Sequence, residues 1–232
     1  MNVIKLFSIS QSMASITRYS QLHLVKPESV LEHTGFVCLF SYLLAEEMNS
    51  KCEDKIDIGT LLKKAVVHDM DEVVTGDIPR PTKYFNKEAT AAFEKIAKNG
   101  MSQIIEELDI GHLPDKSRDA LFSNWLNSKA GPEGSVLAHS DLAAVVFKIW
   151  DEVVLLGNKK LVLQGSQVHG YINDFEVSLK SNDGLSSDQK STMGHAIKQL
   201  QEICRTVEEI KDPMLGTLSS LQEEKKAFPS ER

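Results

Sequence analysis

Cysteine is scarce in this sequence: there are three, Cys38, Cys52 and Cys204, and none forms a C-x-x-C pair. An odd number without that spacing argues against a disulfide framework and a zinc knuckle, and it is typical of a reducing compartment. Apolar runs are short, and none approaches the roughly 20 residues that a membrane-spanning helix needs. Residues 1–16 also lack the charged start, apolar run and cleavage site of a signal peptide. We therefore expect a cytoplasmic protein with no membrane partner.

Clusters of basic residues are missing as well. The net charge is −7, and no long run of Lys and Arg occurs. Binding of duplex nucleic acid depends on clustered basic side chains that neutralise phosphates, so we expect no nucleic acid polymer as a partner. A small anionic ligand at a local basic site is compatible with this charge.

Strand signals are few, since there is no Asn-Gly hairpin turn and little alternation of apolar and polar residues. Helical periodicity recurs along the chain, which predicts an all-α fold in a single domain over residues 1–215, with a flexible tail at 216–232. The predicted helices cover about residues 3–16, 29–48, 57–66, 87–108, 136–156, 167–179 and 187–210, with a further segment through Leu121, Trp125 and Leu126. Ser29 and Glu32 form a capping-box pattern, Asp57 is a predicted N-cap, and Gly100 predicts a kink or break.

The stretch from Ala65 to Pro81 carries the strongest chemical signal. It ends an apolar helix, places His68 beside Asp69, adds acids including Glu72, and breaks at Gly76. A His-Asp pair on the surface is common by chance, but the flanking valines favour a buried position for this one. Because buried ionisable groups are costly unless they are paired or bind a metal, the pair is a candidate metal site. Adjacent His68 and Asp69 can bind one ion at a helix end, with Glu72 beside it.

Two further residues on other predicted helices complete a candidate ligand set. His33 lies early in the second helix, and Asp141 is a lone carboxylate in an apolar helix. Together with His68 and Asp69 they offer imidazole nitrogens and carboxylate oxygens, a set suited to Co²⁺, Mn²⁺, Zn²⁺, Fe²⁺ or, less well, Mg²⁺. A divalent ion in such a set activates water for hydrolysis near neutral pH.

These residues resemble the HD-domain metal-dependent phosphohydrolases, and more closely the 5′-deoxynucleotidases of the YfbR-like type. The resemblance covers roughly residues 3–160 and rests on Thr17-Arg18-Tyr19, Leu31-Glu32-His33-Thr34, the run from His68 to Asn86, and Ala138-His139-Ser140-Asp141. It implies an HD-domain helical bundle with a metal-binding core at about 28–160 and additional C-terminal helices at about 165–212. It also implies a divalent metal cofactor, a deoxynucleotide substrate and a homodimer.

By this resemblance the functional residues take specific roles. His33, His68, Asp69 and Asp141 become the metal ligands. Glu72 becomes the acid/base residue, Arg18 orients the phosphate, and Tyr19 forms a wall of the sugar pocket. The predicted substrate contacts are Arg18, Tyr19, Asp69, Asp77, Ile78, Pro79, Arg80 and Asp141, and Asp77 is also a predicted catalytic residue. From the sequence alone, Asp77 has the alternative role of capping the turn after Gly76.

The implied activity is hydrolysis of deoxynucleoside 5′-monophosphates to deoxynucleosides and phosphate. An alternative is a deoxynucleoside triphosphate triphosphohydrolase of the phage type, because Arg80 adds a second cation for a longer polyphosphate. A second alternative is a non-catalytic scaffold that binds metal and nucleotide. Among neighbouring residues, we expect His139 to be structural or to support a ligand, and Asp71 and Lys148 to face solvent.

Overall fold

Helices supply nearly all the regular structure in the computed structural model, which describes residues 3–108 and 115–210. They are α1 (Val3–Ser15), α2 (Val30–Lys51), α3 (Ile58–Val67), α4 (Glu72–Thr75), α5 (Arg80–Lys83), α6 (Lys87–Glu107), α7 (Asp115–Leu126), α8 (Gly131–Trp150), α9 (Val162–Lys180) and α10 (Ser187–Glu208). Across these residues the only β pairing is an isolated bridge between Thr17 and Ser29. The all-α prediction is confirmed, whereas the predicted tail at 216–232 lies outside the described residues.

Local sequence signals start the helices that matter for the site. Ser29 accepts a hydrogen bond from the Glu32 amide, and the Glu32 carboxylate accepts one from the Ser29 amide, so the predicted capping box begins α2. Asp57 accepts from the amide of Thr60 and begins α3 as predicted. These caps satisfy backbone donors that a helix leaves unpaired in its first turn, and they fix where His33 and His68 fall along α2 and α3.

The main core forms where α8 packs against α2, α3, α9 and α10. Its most deeply buried side chains include Met48, Leu61, Leu137, Ile172 and Ile197. Burial of one such side chain stabilises the fold by roughly 1.5–3 kcal/mol. Because α8 lies at the centre of these contacts, a polar residue on it is surrounded by other helices, which is the setting of Asp141.

A second apolar cluster joins α1, α6 and α7. Its buried members include Ile9, Met13, Met101 and Ile104, and Met70 and Val73 pack against it from the turn after α3. This cluster therefore supports the short segment that follows His68 and Asp69. No helix in the described part of the chain is long and apolar enough to cross a bilayer.

Three features of the chain path differ from the sequence predictions. The prediction of a break at Gly100 is wrong, because α6 continues through it. A Cβ at Gly100 would lie 3.0 Å from the Cβ of Val74, so this glycine allows close helix packing. No helix is predicted between residues 66 and 87, yet the short helices α4 and α5 lie there, with Pro81 in the first turn of α5. The apolar helix predicted for 136–156 leaves α-helical geometry at Asp151–Leu155, a π-helical turn.

Candidate metal centre

Three helices bring the four predicted ligand residues to one place. His33 lies in the first turns of α2, His68 and Asp69 follow the end of α3, and Asp141 lies midway along α8. Ligand atoms of His33, His68 and Asp141 all lie within 4.8 Å of one another. His33 Nε2 is 3.1 Å from Asp141 Oδ1 and 3.5 Å from Asp69 Oδ2, and His68 Nε2 is 3.1 Å from Asp69 Oδ2.

The hydrogen bond of His68 prepares its ring to bind a metal. Its Nδ1 lies 2.7 Å from the carbonyl oxygen of Ala65, which can only accept, so Nδ1 carries the proton. In the neutral form that can bind a metal, Nε2 carries no proton, and this buried atom makes no well-oriented hydrogen bond although Asp69 Oδ2 lies 3.1 Å away. Metal-binding histidines are commonly fixed in this way by a backbone carbonyl. The orphaned nitrogen therefore fits a divalent cation.

The His68 imidazole and the carboxylates of the cluster shift one another's pKa. Although burial opposes ionisation, the His68 ring holds the pKa of Asp69 well below its usual range. Burial would also lower the pKa of His68, but Asp69 outweighs it and raises that pKa. Asp141 is ionised too, because Lys129 and His33 lower its pKa against the effect of burial. Two carboxylates beside two imidazoles match the donor set that binds a transition metal ion.

Lys129 is a residue that sequence reasoning missed. Its Nζ lies 2.6 Å from Asp141 Oδ2, while the other carboxylate oxygen faces His33. The loop that carries Lys129 is fixed by Lys64 on α3, whose Nζ donates to the carbonyl oxygen of Ala130 at 2.6 Å. Lys129 thereby holds one oxygen of Asp141 and leaves Oδ1 for the cluster. Lys129 lies just before the turn at Gly131, where no sequence pattern indicated its contact with Asp141.

Glu72 is the first residue of α4, one turn after His68. Its Oε2 is buried without a hydrogen-bond partner. Burial, reinforced by the negative charges of Asp69 and Asp77, raises the pKa of Glu72 to about 10. A cation at the cluster would offset the contribution of Asp69. This carboxyl group is therefore suited to hold and exchange a proton beside the cluster.

Arg18 lies near the same cluster and is buried, with 8% of its surface exposed. Its Nη1 is 3.3 Å from Glu28 Oε1, and that oxygen is 3.8 Å from His33 Nδ1. Its Nε has no hydrogen-bond partner. Burial alone would lower the pKa of Arg18, but Tyr19 and the nearby carboxylates, among them Asp69, raise it above its ordinary value. The guanidinium is thus charged, anchored at one nitrogen and free at another to bind an anion.

Tyr19 and Asp77 join two loops at the edge of the site. Tyr19 has a φ of 56°, which is unusual for a residue with a side chain. Its amide donates to Asp77 Oδ2 at 2.8 Å, and this bond stabilises the left-handed conformation. Its buried hydroxyl has no partner, and the Arg18 guanidinium lies 5.1 Å from its ring centroid. Asp77 thus connects the loop after α4 to the segment that carries Arg18.

The rest of the predicted substrate loop lies farther along the chain. Ile78 and Pro79 are half-buried, and Ile78 shares with Glu72 the wall of a small cavity of about 20 Å³. The Arg80 guanidinium lies between two aromatic rings, 5.1 Å from the centroid of Tyr84 and 4.9 Å from that of Tyr171. Arg80 therefore connects this loop to α9, a contact that the sequence did not indicate.

Two predictions about neighbouring residues are wrong. Asp71 is buried and accepts a hydrogen bond from Trp125 Nε1 at 2.8 Å, so it does not face solvent. Lys148 is also buried, with its Nζ 2.9 Å from Glu152 Oε1. By contrast, His139 is buried against the ring of Phe175. Burial lowers the pKa of His139 to about 4, so its ring is neutral. This agrees with the structural role expected for it.

The chain is similar in sequence to known 5′-deoxynucleotidases. Residues 5–179 match the family described as 5′-deoxynucleotidase YfbR-like. A 5′-deoxynucleotidase of Shewanella oneidensis is 30% identical over 135 residues, which cover 58% of this chain and 67% of that protein. The 5′-deoxynucleotidase YfbR of Salmonella paratyphi B is 27% identical over 199 residues, covering 78% of this chain and 96% of the relative.

A solved structure shows the same fold at low sequence identity. The HD phosphohydrolase DatZ of cyanophage S-2L, bound to dA and one catalytic Zn²⁺ ion, superposes with a TM-score of 0.56 at 14% identity. The match covers 88% of this chain and 96% of the phage protein. The family match extends over more than half of the chain and includes every residue of the cluster described above. The chain therefore belongs to the YfbR-like 5′-deoxynucleotidase family of HD-domain phosphohydrolases.

Proposed function

We propose that this enzyme hydrolyses deoxynucleoside 5′-monophosphates to deoxynucleosides and phosphate, using a divalent cation held by His33, His68, Asp69 and Asp141. The observation that supports the proposal is the convergence of His33, His68 and Asp141, with Asp69 Oδ2 3.1 Å from His68 Nε2, a buried nitrogen that makes no hydrogen bond. The relatives described as 5′-deoxynucleotidases support the substrate class. The dA bound to the phage phosphohydrolase supports a deoxynucleoside in a site of this fold.

The protein side chains divide the chemistry among them. A divalent cation, when bound, supplies a Lewis acid and makes water more acidic. Arg18 presents its free guanidinium nitrogens to the phosphate oxygens, a geometry that suits a planar donor group. Attack by water on phosphorus forms one P–O bond and breaks the bond to the sugar 5′-oxygen. Glu72 gives its proton to the leaving 5′-oxygen and takes up a proton from the attacking water, a role open to its Oε2, which has no hydrogen-bond partner.

The loops around Arg18 shape the pocket for the sugar. Tyr19 forms one wall, and Asp77 holds the Tyr19 backbone in its left-handed conformation. The segment from Ile78 to Arg80 lines the other side in this proposal. Because Arg80 is held by two tyrosine rings, its charge supports the loop and its contact to α9.

A substrate screen tests the proposal. The purified protein, stripped of metal and supplied with Mn²⁺, Co²⁺, Zn²⁺ or Mg²⁺, is offered deoxynucleoside and nucleoside monophosphates and triphosphates. We expect phosphate release from the deoxynucleoside monophosphates and a loss of at least about 1000-fold in Asp69→Asn. Asp174→Asn, an exposed acid on α9, is the matched control and keeps full activity. Inorganic triphosphate from a deoxynucleoside triphosphate, or binding without hydrolysis, would contradict the proposal.

We also propose that the protein forms a homodimer through an apolar face of α2. The exposed side chains of Phe36, Leu39 and Leu43 lie three and four residues apart and share this face, and exposed Leu31 lies to one side of it. Contiguous exposed apolar surface of this kind marks association sites in soluble proteins. A second copy offers the same face, as two-fold symmetry requires. In sedimentation experiments we expect the wild type to be a dimer and Leu39→Glu to be a monomer. A monomeric wild type would contradict the proposed dimer.

A further inference from the structure

The segment at residues 17–29 carries Arg18 and Tyr19 and is held at its base by backbone pairing. Thr17 and Ser29 form the isolated β bridge, and the Arg18 amide donates to the carbonyl oxygen of Glu28 at 2.8 Å. A turn follows, in which the Leu22 amide donates to the carbonyl oxygen of Tyr19 at 2.8 Å. Beyond it, Leu24 packs with Leu22 against the main core, whereas the side chains of His23, Val25 and Lys26 are exposed.

A buried carboxylate holds the backbone of this exposed part. Glu152, in the π-helical turn after α8, is 0% exposed. Its Oε2 accepts from the Val25 amide at 2.8 Å and from Asn158 Nδ2 at 2.9 Å. Its Oε1 accepts from the Lys26 amide at 2.9 Å and from Lys148 Nζ at 2.9 Å. Both oxygens are therefore satisfied, and two of the four donors are backbone amides of the segment.

The two side chains that contact Glu152 also bind the segment directly. Asn158 Nδ2 donates to the carbonyl oxygen of His23 at 2.7 Å, and Lys148 Nζ donates to that of Lys26. Burial would raise the pKa of Glu152, but its donors, Asn158 and Lys148 first among them, lower it to about 2. The carboxylate is ionised at neutral pH, which strengthens each of these hydrogen bonds.

The arrangement separates Glu152 from the chemistry. It lies 11 residues after Asp141 on α8 and its continuation, which at about 1.5 Å per residue is about 16 Å. Glu152 is therefore too far away to contact a phosphate at the cluster, and its direct contacts are with the segment, Lys148 and Asn158. The other end of the segment places Arg18 between Glu28 and the carboxylates of the cluster.

We propose that Glu152 is a positioning residue that fixes the segment at 17–29 and thereby orients Arg18 toward phosphate. The proposal rests on the function proposed above, since it assigns Arg18 to the phosphate. It explains why a lysine, a glutamate and an asparagine are buried together at the end of a helix whose middle carries Asp141. Buried charges of this kind are costly unless they are fully paired.

Glu152→Gln is the direct test because it keeps the shape of the side chain. An amide has one acceptor oxygen, so its NH₂ group must face either the Val25 or the Lys26 amide, where a donor meets a donor. Amides of residues 17–29 are expected to exchange hydrogen about tenfold faster. Inorganic phosphate, used as a competitive ligand, is expected to bind about tenfold more weakly. Mn²⁺ affinity is expected to change less than phosphate affinity, because none of the four ligand residues belongs to the segment.

A stability control separates positioning from a general loss of structure. Leu200→Ala, in the core of α10, lowers the melting temperature without touching the segment. We expect it to leave phosphate affinity and the exchange of residues 17–29 unchanged. Glu152→Gln is also combined with Arg18→Gln. If Glu152 acts through Arg18, the double variant binds phosphate no more weakly than Arg18→Gln alone.

Three results would overturn the proposal: unchanged hydrogen exchange and phosphate affinity in Glu152→Gln, additive losses of phosphate affinity in the double variant, or the same loss of phosphate affinity in Leu200→Ala.

If Glu152→Gln does not fold, Asn158→Ala replaces it, because it removes only the bonds of Asn158 to Glu152 and to His23. It is expected to weaken phosphate binding about threefold, and unchanged binding would overturn the proposal. A wild type that hydrolyses no deoxynucleotide refutes the proposed function, whereas exchange and phosphate binding still decide the role of Glu152.

Discussion

Alanine at Gly134, in the first turns of α8, is expected to destabilise the protein. An ideal Cβ there would lie 2.2 Å from the carbonyl carbon of Lys129 and 2.5 Å from its oxygen. Contact becomes ordinary at 3.4 Å, so the Lys129 backbone must move by more than 1 Å. That backbone is held in place, because the next residue, Ala130, accepts a hydrogen bond from Lys64.

The expected loss follows from two opposing effects. Replacing glycine by alanine inside a helix normally stabilises by about 0.5–1 kcal/mol. Overpacking a fixed backbone costs about 1–3 kcal/mol, and an overlap with main-chain atoms belongs at the upper end. We therefore expect Gly134→Ala to lower the free energy of unfolding by about 2 kcal/mol, or the melting temperature by about 4–8 °C.

Urea unfolding of three alanine variants measures this effect. Gly170 on α9 and Gly194 on α10 are matched controls, because a Cβ at either position meets nothing within 4 Å. Each control is expected to gain about 0.5–1 kcal/mol. If Gly134→Ala were as stable as the controls, the close approach of Lys129 to α8 would be wrong. The placement of the Lys129 ammonium on Asp141 would then lose its support.

Two further substitutions test contacts around the cluster. Lys129→Met removes a positive charge next to Asp141, so Mn²⁺ should bind more tightly and deoxynucleotide more weakly, each by up to about fivefold. Calorimetry measures both affinities, with Lys63→Met, an exposed residue on α3, as the control. Equal changes in the two variants would show that the Lys129 contact does not affect binding. Trp125→Phe leaves the buried carboxylate of Asp71 without its indole donor and is expected to cost about 2–3 kcal/mol. Unchanged urea unfolding of that variant would argue against the hydrogen bond.

The sequence allowed the helices and the four cluster residues to be predicted because their signals are local. Ser29 and Glu32 lie within one helical turn, and adjacent His68 and Asp69 stand in an apolar setting. Gly100 was misread because helix propensity is local as well, whereas its actual role depends on Val74 in another helix. Tertiary packing decided that position.

The polar contacts that the sequence did not predict join residues far apart in the chain. Glu152 and Lys148 are spaced as an ordinary exposed ion pair on a helix, yet their partners Val25 and Lys26 lie more than 120 residues earlier. Lys129 shares no periodicity with Asp141, because a turn separates them. No local pattern distinguishes such residues from solvated ones, and only the path of the chain brings the partners together.

Binding of Mn²⁺ to metal-free protein, followed by calorimetry, tests the central claim most directly. The account predicts one site per chain, with an affinity at least about 100-fold lower in His68→Ala. His195→Ala, an exposed histidine on α10, should bind Mn²⁺ like the wild type. Unaltered binding in His68→Ala, or no binding by the wild type, would contradict the account.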